Sequence, residues 1–208
     1  FEVNENTLIP RPETEELVEW IIESQKSKVK SQKFEILDIG TGTGCIPISL
    51  KANLPHVNVS AIDVSEKALE VARRNAVSNK VEINFIQTNI LEVEDLSQLQ
   101  TPNFQLPTSF DIIVSNPPYV RNLEKEEIKK NVLDYEPHLA LFVEDTDALL
   151  FYRKIAQLAL KNLAPNGLLF FEINQYLGKE TVELLKNLGL KNIELKKDIY
   201  GNDRMVKS

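Results

Sequence analysis

Short apolar runs alternate along the chain with segments in which apolar residues recur every three or four positions. The runs are typical of buried strands, and the periodic segments are typical of amphipathic helices. Strand patterns occupy residues 34–38, 57–63, 83–88, 110–115, 168–173, 193–197 and 204–207. Strands that alternate with helices of this length predict an α/β fold with a parallel, doubly wound sheet, which binds ligands beyond the carboxyl ends of its strands.

The segment before the first strand predicts a helix that begins at Pro12. Proline is tolerated in a first helical turn, and the glutamates that follow it are favoured by the positive end of the helix dipole. Leu17, Trp20 and Ile21 share one face of this helix. That apolar face predicts a helix that packs on the sheet.

The length of 208 residues suits one α/β domain, since single cores stop growing only beyond about 250 residues. We expect residues 34–208 to form this domain and residues 1–33 to form a connecting segment and helix packed on it. Within the latter, the lysine-rich segment 26–33 is interpreted as a solvated linker rather than as a binding patch. The polar, irregular segment 121–147, with a predicted helix near residues 125–132, is expected to face a substrate.

The amino-acid composition further narrows the class of protein. Hydrophobic residues make up 42% and charged residues 26%, as in ordinary globular proteins. No apolar run approaches the roughly 20 residues that cross a bilayer, and the first residues lack a signal-peptide pattern, so a cytoplasmic location is predicted. The single cysteine, Cys45, is expected to be a packing residue. His56 and His138 supply too few ligands for a typical site, so we expect no metal.

The charge balance disfavours nucleic acid as a direct partner. Lysine and arginine total 24 and aspartate and glutamate total 31, which gives a formal charge of −7. A nucleic-acid site needs clustered cations to neutralise phosphates, and the one conspicuous cluster is the segment 26–33. Direct binding of nucleic acid is therefore not expected.

A glycine-rich turn follows the first strand. It reads Asp38-Ile39-Gly40-Thr41-Gly42-Thr43-Gly44. A dinucleotide fingerprint requires Gly-x-Gly-x-x-Gly, so this spacing disfavours a nicotinamide dehydrogenase. S-adenosylmethionine (SAM) fits better, because it carries no phosphate and its sulfonium and ammonium groups are favoured by a nearby carboxylate such as Asp38. We predict that this loop, from Asp38 to Gly44, binds SAM.

Two further turns complete the predicted cofactor site. Asp63 ends the second strand about 20 residues after the glycine loop, where an acid accepts hydrogen bonds from both ribose hydroxyls of an adenosine. The alternative role for Asp63 is a helix N-cap, but Ser65 is available for that purpose. After the third strand, Asn89 is predicted to hydrogen-bond the adenine amine and Ile90 to pack on the ring.

The fourth strand runs into Asn116-Pro117-Pro118-Tyr119. The prolines make this turn rigid, because each also restricts the residue before it. The Asn116 side-chain oxygen and the Pro117 carbonyl can accept the two N–H groups of a planar nitrogen, and the Tyr119 ring can stack on its plane and favour developing positive charge. These three residues are the predicted catalytic residues, and the turn including Pro118 is the predicted acceptor site. Asn116 is also predicted to contact the cofactor.

With these motifs in place, the chain resembles the protein-(glutamine-N5) methyltransferases of release factors, the HemK/PrmC type. The resemblance covers nearly the whole chain. It rests on the glycine loop, the Asn-Pro-Pro-Tyr turn, Leu8-Ile9-Pro10-Arg11-Pro12-Glu13-Thr14-Glu15 near the start and Gly201-Asn202-Asp203-Arg204 near the end. The resemblance implies that Arg11 and Glu13 shape the substrate mouth.

The resemblance also implies a seven-stranded, Rossmann-like sheet with an antiparallel last strand and SAM as the methyl donor. The implied acceptor is the glutamine in the Gly-Gly-Gln loop of peptide chain release factors, which are the expected protein partners of a monomeric enzyme. Such enzymes carry an N-terminal helical domain that docks the release factor, and we expect this domain to be absent from the chain. Asn89 stands where the family usually has an acid, which predicts weaker electrostatics at the adenine.

Two other interpretations stay open. The same Asn-Pro-Pro-Tyr turn serves enzymes that methylate adenine N6 or guanine N2 in nucleic acids, although these need basic surface or a target-recognition domain. A catalytically silent methyltransferase fold acting as a binding subunit is the alternative from another class. Such a subunit would have no use for intact acceptor groups at Asn116 and Tyr119.

Overall fold

The computed structural model describes residues 1–25, 34–101, 104–127, 132–133 and 136–208. Within these residues, seven strands form one sheet. They are β1 (Glu35–Ile39), β2 (Asn58–Asp63), β3 (Asn84–Gln87), β4 (Phe110–Ser115), β5 (Leu163–Glu172), β6 (Glu194–Lys197) and β7 (Asp203–Lys207). The longer helices are α1 (Pro12–Gln25), α2 (Cys45–Asn53), α3 (Glu66–Ser78), α4 (Leu150–Asn162) and α5 (Gly178–Leu188).

The sheet has the strand order β6-β7-β5-β4-β1-β2-β3. The pairs from β5 to β3 are parallel, whereas β7 is antiparallel to both β5 and β6. The predicted seven-stranded sheet with an antiparallel last strand is therefore confirmed. Because β1 pairs with β2 on one side and β4 on the other, the turns after Ile39, Asp63 and Ser115 leave the same edge of the sheet.

Apolar side chains cover both faces of the sheet. Successive residues of a strand point to opposite faces, so Ile36 and Leu37 belong to different halves of the core. The half that contains Ile36 also contains Trp20 of α1, whose ring packs nearly perpendicular to the ring of Phe170, with 5.5 Å between the ring centroids. Leu37 packs in the half that contains Ile155 of α4. The predicted helix that begins at Pro12 is confirmed, and its apolar face is buried. The domain division at residue 33 stays a prediction.

The predicted start of the fifth strand at residue 168 is wrong, because β5 begins at Leu163. Leu163 leaves α4 already extended and pairs with Phe110. The register then shifts between Phe110 and Ile112, where Asn166 takes a positive φ of 65°. The turn residues 164–167 therefore lie within an irregular strand.

Two connections contain short elements of their own. Residues 89–109 hold the 3₁₀ helices Ile90–Glu92 and Leu96–Gln98 and the paired strands Gln100–Thr101 and Phe104–Gln105.

The connection over residues 120–147 holds the strand pair Val120–Arg121 and Phe142–Val143, the 3₁₀ helices Asn122–Glu127 and Asp145–Asp147, and the helix His138–Leu141. The predicted helix near residues 125–132 lies partly outside the described residues. The segment 26–33 lies wholly outside them. The solvated-linker interpretation of that segment stays a prediction.

Candidate active site

A cavity of about 370 Å³ opens at the carboxyl edge of the central strands. The predicted cofactor and acceptor turns meet in its wall. Residues 39–43, 45–46, 62–65, 88–91 and 115–120 line it, together with residues 6–11, Thr14, Ala68, Pro137, residues 139–141, Phe151, Ile155 and Glu172. The sequence predicted that the turns after β1, β2, β3 and β4 share one edge, and the cavity brings all four together.

Backbone hydrogen bonds hold the glycine loop against β2. The backbone N–H groups of Gly40 and Thr41 both donate to the Ile62 carbonyl, at 2.8 and 3.1 Å. At the end of the loop, Gly44 has a φ of 79°, and a Cβ there would lie 3.0 Å from Ile48 Cδ1 and 3.1 Å from Ala72 Cβ. Only glycine combines this backbone with such close packing. Residues 40–43 line the cavity, whereas Gly44, which was also predicted to bind the cofactor, does not line it and packs against α2 and α3.

Asp38 is fully buried beneath this loop and does not line the cavity. Neither carboxylate oxygen accepts a hydrogen bond from a described residue, and the Thr41 hydroxyl is likewise unpartnered there. Burial raises the pKa of Asp38 to about 7. The Thr41 hydroxyl lies near without meeting hydrogen-bond geometry and opposes this rise only in part, and Asp63 adds to it. Asp38 is thus a buried acid without a bonding partner among the described residues.

Asp63 joins the glycine loop to the start of α3. Its Oδ2 accepts the Gly42 N–H at 2.8 Å, and its Oδ1 accepts the Ser65 N–H at 2.9 Å. Ser65 caps α3 by accepting the Ala68 N–H, as predicted. Burial raises the pKa of Asp63, and the backbone N–H groups oppose the rise. A carboxylate has about four lone-pair sites, so Asp63 can accept two more hydrogen bonds from a ligand in the cavity.

Asn89 and Ile90 both line the cavity after β3. The Asn89 side-chain oxygen accepts the Leu91 N–H at 3.2 Å, and its amide nitrogen donates to Glu92 at 2.8 Å. Asn89 therefore caps the short helix that follows, and an adenine amine would share the oxygen with Leu91. Ile90 is 7% exposed and lines the cavity.

The Asn-Pro-Pro-Tyr turn is held from both sides. Before it, the Ser115 hydroxyl donates to the Ile39 carbonyl at 2.6 Å. Asn116 donates its side-chain N–H to the Thr14 hydroxyl at 3.4 Å. The Tyr119 carbonyl accepts an N–H of Asn174 at 2.9 Å, and the Tyr119 hydroxyl donates to Glu172 at 3.2 Å. Asn116, Pro117, Pro118 and Tyr119 all line the cavity.

Glu172 is a residue of this site that the sequence patterns above do not single out. It ends β5, is 1% exposed and reaches the cavity wall. It accepts the Thr14 hydroxyl at 2.7 Å and the Tyr119 hydroxyl. Burial raises the pKa of Glu172, an effect that these two donors and Arg204 oppose. An acid that ends a buried strand is the one signal that could have found it.

Arg11 lies at the mouth of the cavity and donates to the buried Glu136 at 2.5 Å. This ion pair ties the start of the chain to the connection that follows β4. Glu13 does not line the cavity, so of the two residues predicted at the mouth only Arg11 reaches it.

The described residues contain neither a candidate metal cluster nor a candidate membrane-spanning helix. No group of three or more His, Cys, Asp or Glu residues in that part of the chain could hold a metal ion. No described helix has the length and apolar character required to cross a membrane. Cys45 is a free thiol whose burial raises its pKa to about 11, so it is protonated at neutral pH.

This sheet order, the glycine loop and the turn after β4 define a methyltransferase of the Rossmann-like class. Residues 21–138 match the family described as Methyltransferase small domain. The chain belongs to the release factor glutamine methyltransferase family. It is 67% identical to the Release factor glutamine methyltransferase of Flavobacterium psychrophilum, over 100% of this chain and 69% of that protein. The protein of that name from Bacteroides thetaiotaomicron is 44% identical, over 99% of this chain and 69% of its own length.

Solved structures share the fold at low sequence identity. The hMettl16 catalytic domain, in complex with the MAT2A 3'UTR hairpin 6, superposes with a TM-score of 0.72 at 17% identity, over 100% of this chain and 74% of that one. A ribosomal protein L11 methylase from Lactobacillus delbrueckii subsp. bulgaricus gives a TM-score of 0.61 at 20% identity, over 95% and 79% of the two chains. These likenesses concern the fold alone.

Proposed function

We propose that the protein transfers a methyl group from SAM to the side-chain amide nitrogen of the glutamine in the Gly-Gly-Gln loop of peptide chain release factors. The observation that carries this proposal is the shared cavity, in which the glycine loop and the Asn-Pro-Pro-Tyr turn line one space. The names of the family members support the choice of acceptor.

The glycine loop, Asp63, Asn89 and Ile90 would hold the methyl donor. When bound, SAM supplies a methyl group on a positively charged sulfur. The spare lone pairs of Asp63, which lines the cavity, fit two ribose hydroxyls. Asp38 does not touch the cavity, so its buried carboxylate would favour the positive donor through the loop rather than by contact.

The turn after β4 would present the acceptor. An amide nitrogen is a poor nucleophile because its lone pair is delocalised. The Asn116 side-chain oxygen and the Pro117 carbonyl would accept its two N–H groups and hold the lone pair toward the methyl group, which lowers the entropic cost of the encounter. The Tyr119 ring would favour the positive charge that develops on nitrogen. No general base is needed, because the proton can leave after the transfer.

The rim of the cavity supports a protein loop as the acceptor. Ile9 is 47% and Leu139 is 68% exposed, and both line the cavity. Among the described residues of the lining, Arg11 is the one cation, and its charge is paired with Glu136. With a formal charge of −7, the protein offers a nucleic acid little to neutralise its phosphates. A monomeric state and a cytoplasmic location stay predictions.

The test is methyl incorporation from labelled SAM into four acceptors: a release factor, its Gly-Gly-Ala variant, duplex DNA and ribosomal RNA. We expect incorporation into the unmodified release factor alone, with the label on the glutamine side chain in tandem mass spectra. Salt should be varied for each acceptor, because phosphate contacts make binding fall steeply with salt. Salt-sensitive labelling of nucleic acid, with none in the release factor, would contradict the proposed acceptor and leave the donor site intact.

A further inference from the structure

A chain of hydrogen bonds runs behind the acceptor turn. Glu172 accepts the hydroxyl proton of Thr14 at 2.7 Å, and the Thr14 hydroxyl oxygen accepts an N–H of Asn116 at 3.4 Å. The second Glu172 oxygen accepts the Tyr119 hydroxyl at 3.2 Å. Thr14 is 5% and Glu172 1% exposed, so water has little access to these hydrogen bonds. One buried carboxylate thus bonds, directly or through Thr14, to both side chains that would contact the acceptor nitrogen.

The directions of these bonds follow from elementary chemistry. An ionised carboxylate accepts hydrogen bonds and donates none, so the single proton of the Thr14 hydroxyl points at Glu172. Thr14 can then only accept from Asn116, which requires the amide nitrogen of Asn116, rather than its oxygen, to face Thr14. The oxygen and nitrogen of an amide point in different directions from the same carbon. The Asn116 oxygen is therefore turned away from Thr14 and is left to accept from the substrate.

We propose that Thr14 and Glu172 are positioning residues that fix the orientation of the Asn116 amide, so that its oxygen rather than its nitrogen meets the acceptor nitrogen. This inference rests on the proposed acceptor role of Asn116. A reversed amide would present N–H groups to the N–H groups of the substrate and leave donors facing donors. The same carboxylate holds the Tyr119 hydroxyl and so fixes the ring on the other side of the acceptor.

Several charged and titratable groups face Glu172 and bear on its ionised form. Arg204 of β7 lies near it and favours the charge, as do the Thr14 and Tyr119 donors. Glu13 of α1 disfavours it. Tyr152 of α4 points its hydroxyl at the Glu172 carbonyl, at 3.4 Å. Burial makes the carboxyl costly to ionise, and the bonds from Thr14 and Tyr119 offset this cost only while both donate.

The test compares Thr14→Val, which removes the hydroxyl at nearly constant volume, with Thr14→Ser, which keeps it. Thr14→Val should lower kcat about 3- to 10-fold, the effect of losing one neutral hydrogen bond, and leave SAM affinity unchanged. Thr14→Ser should retain most of the activity. Thr181→Val is the matched control, because Thr181 is likewise a buried helix threonine with a hydrogen-bonded hydroxyl, which donates to the Leu177 carbonyl outside this site.

A second readout is independent of turnover. The side-chain ¹⁵N–H signals of Asn116, followed by NMR, should shift in Thr14→Val and stay close to their parental position in Thr14→Ser and Thr181→Val. Glu172→Gln should also lower kcat, because glutamine has one acceptor oxygen for the two donors, Thr14 and Tyr119.

Parental kcat in Thr14→Val, or equal losses in Thr14→Val and Thr14→Ser, would overturn the inference, since the hydroxyl would then not matter. A parent protein that methylates no release factor, but shows the expected Asn116 shifts, would refute the proposed function while the orientation of the amide stands.

Discussion

Replacing Asp63 with alanine should weaken SAM binding without removing the cavity. Asp63 accepts two backbone N–H groups, from Gly42 and Ser65, and has two lone-pair sites to spare for the ribose. The substitution therefore removes two ligand hydrogen bonds and also loosens the contact between β2 and the glycine loop. The lost ligand hydrogen bonds and the loosened loop both weaken binding in this variant, so the assay has to separate the two effects.

The expected loss is about 1–3 kcal/mol, from about 0.5–1.5 kcal/mol for each of two hydrogen bonds. This corresponds to a roughly 5- to 150-fold higher Kd. Calorimetry with SAM and with its 2'-deoxy and 3'-deoxy analogues apportions the loss. The parent should bind each deoxy analogue more weakly than SAM, whereas Asp63→Ala should bind all three alike, because its ribose partner is already gone.

The matched control is Asp95→Ala, which removes another carboxylate that accepts a backbone N–H, from Ser97, outside the cavity. Its SAM affinity should equal that of the parent. If Asp63→Ala binds SAM as tightly as the parent, the ribose role is wrong. If it binds more weakly but still discriminates against the deoxy analogues, the loss comes from the loop and the ribose role is again wrong.

Three further predictions concern turnover, pH and the core. Asn116→Ala should raise the activation free energy by about 2–4 kcal/mol and so lower kcat about 30- to 1000-fold, with SAM affinity retained in calorimetry. The control Asn162→Ala, outside the site, should not lower kcat. Folding raises the pKa of Asp38 from 3.8 to about 7, so the parent should lose thermal stability as the pH rises from about 4 to about 7. Asp38→Asn should not share this loss. If the melting temperatures of the two proteins change in parallel with pH, the buried charge is contradicted. Trp20→Ala should cost about 3–5 kcal/mol of unfolding free energy in denaturant titrations followed by circular dichroism, and a loss below about 1 kcal/mol would contradict its packing on Phe170.

The sequence predicted the parts of the site that lie next to one another along the chain. Glycine spacing, an acid at the end of β2 and a proline-fixed turn are local patterns, and each has its own physical reason. The parallel order of strands then places the turns after Ile39, Asp63 and Ser115 at one edge without knowledge of any side-chain contact. Those predictions needed only periodicity and turn chemistry.

The parts that were missed depend on contacts between distant residues. Glu172 lies 158 positions from Thr14 and 53 from Tyr119, and no local pattern marks these as partners. The exclusion of Asp38, Gly44 and Glu13 from the cavity wall is likewise a matter of tertiary packing. The early start of β5 at Leu163 follows from pairing with Phe110, which overrides the turn residues that come after it.

The most direct test of the central claim is a crystal structure of the protein with S-adenosylhomocysteine and a peptide that contains Gly-Gly-Gln. The proposed function predicts the ribose hydroxyls on Asp63 and the glutamine amide nitrogen within hydrogen-bond distance of both the Asn116 oxygen and the Pro117 carbonyl, with Tyr119 against its plane. A glutamine side chain bound elsewhere, or an Asn116 amide whose nitrogen faces the substrate, would contradict it.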